Sequence, residues 1–168
     1  MEKTKIDTLA QRIEQYKQAL EPEIMHYIDQ HAFYLNLIDK TGFNDPEMDP
    51  VLLGAATLAR IEIYYSLARK EAYSVSAKCR DLQKFYLAAS EQGKANHYEA
   101  VRLEGKSGTD AKELSRRIGG RLEEHAAHFE GEYMRWQGVG DSYEALCNGV
   151  KDLYRLAEYE YKKELQGV

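Results

Sequence analysis

The sequence predicts an all-α protein: a long antiparallel helical hairpin, about 50–104 and 110–165, with two short N-terminal helices packed at its open end. Three observations carry this. No proline follows Pro50, and proline costs a helix interior about 3 kcal/mol. Across that proline-free stretch, apolar or small residues recur at alternating three- and four-residue spacing, which marks a buried helical seam. A polar turn holding Gly105 and Gly108 then divides the stretch into two nearly equal arms, and matched arms leave neither stripe exposed.

The first block spans about 4–40. Ile6, Leu9, Ile13, Tyr16 and Leu20 form one stripe, and Ile24, Ile28, His31, Leu35 and Ile38 a second. Pro22 suits the first position of a new helix, so two short helices are expected to meet near Glu21. Thr41-Gly42 supplies a glycine C-cap. Asn44 to Asp49, with Pro46 inside it, reads as a loop.

Asp49-Pro50 is an N-cap followed by proline at the first helical position. The seam of this arm runs Val51, Gly54, Leu58, Ile61, Tyr65, Ala68, Ala72, Val75, Cys79, Leu82, Tyr86, Ala89, Gly93, Asn96, Ala100, Leu103. The second arm opens at Asp110, with Glu113 completing a capping-box-like pair. Its seam reads Ala111, Ser115, Ile118, Leu122, His125, Phe129, Glu132, Trp136, Val139, Tyr143, Leu146, Val150, Leu153, Ala157. The register continues through Gly138-Val139-Gly140. A competing reading breaks the arm there, with Asp141 and Glu144 as a second capping pair. A turn centred near Ser107 brings Gly93 close to Gly119 and Gly120, where small residues let backbones approach.

The chain has 168 residues and is read as a single helical domain, 1–168. Its net charge is −5, which favours neither phosphate backbones nor anionic membranes in bulk. No run reaches the roughly 20 apolar residues of a membrane span, and the first residues lack the apolar core of a secretory signal. Cys79 and Cys147 fall far out of register on the two arms, so no bridge is expected. A cytoplasmic location follows from these readings.

Several constellations touch on chemistry. Glu23-x-x-His26 has di-iron spacing, but no second copy accompanies it. His125 and His128, with Glu124 and Glu132, place four potential ligands on two turns, yet the facing arm near Ala89 and Tyr86 offers neither Cys nor His. No nucleophile elbow or phosphate loop is present. The sequence therefore implies no enzyme, no metal and no cofactor. Near the turn, Lys94, Arg102, Lys106, Lys112, Arg116, Arg117 and Arg121 outnumber Glu99, Glu104, Asp110 and Glu113. That tip could contact phosphate, with strongly salt-dependent binding. Thirteen tyrosines against four phenylalanines suit half-exposed faces. They gather toward the open end, at Tyr64, Tyr65, Tyr73, Tyr143, Tyr154, Tyr159 and Tyr161, with Tyr16, Tyr27 and Tyr34 in the first block. Tyr64, Tyr65, Tyr154 and Tyr161 are the expected partner-binding hot spots.

The stretch Tyr98-Glu99-Ala100-Val101-Arg102-Leu103-Glu104-Gly105-Lys106, followed by a polar turn and a second helix, resembles small helical-hairpin proteins encoded by bacteriophages. The resemblance covers roughly 61–163 and implies a mobile-element accessory or virion-associated role without catalytic residues. Trp136-Gln137-Gly138 is similar to the turn of exported Trp-x-Gly helical hairpins, with Tyr154 and Glu158 matching their downstream signal, although this chain is much longer. The expected function is non-catalytic binding of a protein partner, or of a second copy as a dimer, through helix faces. Nucleic-acid binding at the basic tip and an exported hairpin are the alternatives.

Overall fold

Three long helices account for nearly all of the chain in the computed structural model, which describes residues 2–166 and, among side chains, those of 8–166. They are α1 (Glu2–Asp39), α2 (Ala55–Leu103) and α3 (Gly108–Leu165), with a short 3-10 turn at Pro50–Leu53. No strand occurs among the described residues. The all-α prediction holds.

The described residues form two compact units. The first takes the chain up to Ile24 together with Ser76–Met134, and the second takes Met25–Val75 together with the residues from Arg135 onward. Each long helix contributes to both.

The expected pair of N-terminal helices is one continuous helix, with Pro22 in its interior. Pro22 and Gln18 are both exposed, so the carbonyl that proline leaves unbonded opens to water. Packing on either side outweighs the local cost. In the first unit Leu20 is buried with Leu82, Tyr86 and Ala126, and Tyr16 stacks on Phe85 at 4.1 Å. In the second unit Ile38 is fully buried among Leu58, Ile61 and Val150. Burying such side chains is worth about 1.5–3 kcal/mol each, comparable with the proline penalty. Ile6 of the first stripe lies outside the described side chains.

Thr41 and Gly42 end α1 as expected. Their amides bond the Ile38 and Asp39 carbonyls, and Gly42 takes φ +78°, a conformation that favours glycine. Asp49 caps the 3-10 turn rather than α2, accepting from the Val51 amide at 3.1 Å. Gly54 at φ +76° then interrupts the backbone, so α2 begins at Ala55 and Gly54 is no part of its seam.

The α2 seam buries Leu58 through Gly93 as read, then drifts. Leu103 is 81% exposed, whereas Val101 is 3% exposed. On α3 the helix runs unbroken through Gly138 and Gly140. It starts at Gly108, two residues before the expected Asp110, because Ser107 is its cap. The Asp110 amide donates to Ser107 Oγ at 3.2 Å, and the Ser107 hydroxyl returns to the Asp110 carboxylate at 2.7 Å. Glu113 instead pairs with Arg117 one turn on.

The α3 seam is buried as read at Ala111, Ser115, Trp136, Tyr143, Val150 and Ala157 and lies one residue from the apolar reading at four places. Gly119, Ala126, Gly140 and Cys147 are buried, where Ile118, His125, Val139 and Leu146 were expected. Small residues occupy these places because the α2 segment comes close. In the first unit the Ser90 and Ser76 hydroxyls reach the Gly119 and Tyr133 carbonyls at 3.2 and 3.1 Å. In the second, Tyr73 lies against Gly140 and its hydroxyl donates to Asp141 at 2.6 Å. Arg69 with Glu144 and Glu62 with Lys151 continue that pairing in reverse order, so the two segments run antiparallel in this unit.

The expected glycine cluster resolves differently. Gly119 lies beneath the Lys94 stem, Gly93 faces Leu9, Ile118 and Leu122, and nothing lies near the Cβ position of Gly120.

Two glycines of α3 give a paired test. A Cβ at Gly140 would stand 2.6 Å from Tyr73 Cε1, whereas one at Gly138 meets nothing within 4 Å. Gly140→Ala should therefore lower stability by about 1–3 kcal/mol. Gly138→Ala should raise it by roughly 0.5–1 kcal/mol through helix propensity. Urea unfolding of the two variants checks the opposite signs.

Candidate interaction surface

The second unit holds most of the aromatic side chains singled out in the sequence. Its core joins Tyr65 and Tyr143, rings 5.8 Å apart, with Phe43 edge-on to Tyr65 at 6.3 Å. Tyr64 and Tyr154 are half-buried against that core, and the Tyr154 hydroxyl donates to Glu158 one turn on. Tyr161 is 62% exposed. The four expected hot spots therefore divide. Tyr65 belongs to the core and is unavailable to a partner, Tyr64 and Tyr154 present only edges, and Tyr161 stands free.

Sequence reasoning noted Tyr159 among the open-end tyrosines but missed that other large apolar side chains of this unit are exposed with it. Met25 and Phe33 on α1, Ile63 on α2, and Leu146, Leu156 and Tyr159 on α3 are all exposed. A Cβ added at Gly138 or Gly149 on α3 would also meet nothing within 4 Å among the described residues. The usable signal was present for Met25, Phe33, Ile63 and Leu156: these residues fall off the seams yet are apolar, and a solvated helix face is normally polar.

A polar cluster sits beside the same core. His31 Nε2 is hydrogen-bonded to the Tyr143 hydroxyl at 2.8 Å, and its ring meets Trp136 edge-on at 5.3 Å. Trp136 is 7% exposed and lies inside α3, so the Trp136-Gln137-Gly138 step forms no turn. Glu71, 6% exposed, faces His31 from α2. Burial lowers the His31 pKa from its ordinary 6.5, while Glu71 acts weakly in the other direction.

The basic residues of the first unit are partly neutralised. Lys94 is bound by Glu123 and Glu91, and these hydrogen bonds hold the lysine above its ordinary pKa and Glu123 below. Arg117 pairs with Glu113 and Lys106 with Glu104. Arg102 donates to the Lys106 carbonyl at 3.0 Å. Lys112, Arg116 and Arg121, all exposed, have no ion-pair partner among the described residues.

The metal-like spacings serve other ends. Glu23 binds Lys78 at 2.5 Å, His125 lies on Tyr86 and His128 on Phe129. Among the described residues, no group of three or more His, Cys, Asp or Glu is placed to hold a metal ion. No described helix is long and apolar enough to cross a membrane. Cys79 and Cys147 are both buried thiols. In comparisons with known proteins, no family model, curated protein or solved structure matches this chain.

The His31 cluster makes the protein acid-sensitive. The unfolded chain takes up this proton near pH 6.5, and the folded chain only at lower pH. The stabilisation is complete above about pH 6.5 and declines as pH falls from there toward the folded value. His31→Gln, which can keep the Tyr143 hydrogen bond, should flatten that part of the profile. Urea midpoints measured between about pH 7.5 and 5 check this, and an unchanged slope refutes it.

Proposed function

We propose that this chain is a non-catalytic interaction or assembly protein that binds a protein partner, or a second copy of itself, through helix faces of its second unit. The observation that carries the reading is the set of exposed apolar side chains there, Phe33, Ile63, Leu146, Leu156, Tyr159 and Tyr161, on all three helices of one unit. Scattered apolar residues are ordinary on a surface, and the reading rests on the second unit carrying, among the described residues, more large exposed ones than the first, where Leu87, Tyr98, Leu103, Ile118 and Met134 are exposed. Exposed Gly138 and Gly149 add support, since glycine costs a helix about 1 kcal/mol and a docked helix could exploit the space it leaves.

The antiparallel pairing found within each unit supports reading α2 and α3 as the arms of a hairpin. A cytoplasmic setting rests on the two thiols and on the sequence, and a bacteriophage or mobile-element origin on the resemblance around Tyr98 to Lys106. A second reading, nucleic-acid binding, is favoured by Lys112, Arg116 and Arg121, whose charges are not neutralised by neighbours. It predicts affinity that falls steeply with salt. The exported Trp-x-Gly alternative loses its main support, because the residues expected to turn lie within a helix.

Capture of partners from the native cell at low and high salt separates the readings. Leu156→Glu and Tyr161→Ala should each weaken capture at least about tenfold, or ~1.4 kcal/mol, with helix content unchanged. Light scattering of the same variants tests self-association. Capture unaffected by both substitutions, yet abolished by salt and by Arg116→Gln, would move the function to the basic residues.

A further inference from the structure

We draw no further inference here: the strongest candidate, the outward face of α3 in the second unit, on which Gly138, Ala145, Gly149 and Leu156 stand exposed at helical spacing, carries nothing because nothing in the structure shows what covers it.

Discussion

Close approach between the α2 and α3 backbones is the constraint on which each unit depends. In the first unit it is tight enough for the Ser90 hydroxyl to reach the Gly119 carbonyl and for Ser76 to reach that of Tyr133. In the second, the Tyr73 ring rests where a Cβ at Gly140 would be. Larger side chains at Ser76 or Ser90, or any side chain at Gly140, would push the helices apart and open gaps beside their larger neighbours. The cost would be the dispersion and burial that close packing supplies.

That constraint shapes what remains available for function. The small residues Gly119, Ala126, Gly140 and Cys147 share the inner line of α3 with buried Trp136 and Tyr143, so several large apolar ones are displaced to its flanks. Ile118 and Leu146 stand one residue from buried Gly119 and Cys147 and are themselves exposed. A helix that packs through its small residues thus presents large ones outward, and these can serve partners without weakening the core. The same economy explains the tyrosines. Tyr65 and Tyr143 fill space around Phe43 and His31, while Tyr159 and Tyr161, near the end of α3, are exposed.

The polar members of the core follow from the same geometry. His31 was read as a seam position, and it does face inward, but its neighbours come from distant stretches of sequence. Tyr143 bonds it, Trp136 meets its ring and Glu71 faces it. No spacing along α1 could have announced that set. The same is true of the basic residues, where Glu123 neutralises Lys94 from another helix while Arg116 keeps its charge.

Helical class, the α1 C-cap at Gly42, the turn before α3 and most of the α2 seam were determined by the sequence alone. Each rests on local rules: proline placement, glycine at positive φ, and periodic apolar residues. Pro22 was misread because its local cost is visible in the sequence, whereas the burial of Leu20 and Ile38 that offsets it is not. The α3 seam was displaced by one residue at Gly119, Ala126, Gly140 and Cys147 because apolar counting rewards size, and close backbones reward its absence. Which tyrosines are exposed and which cations are neutralised were decided only by the tertiary structure. Those properties belong to residues far apart in the chain, and only folding sets the distances between them.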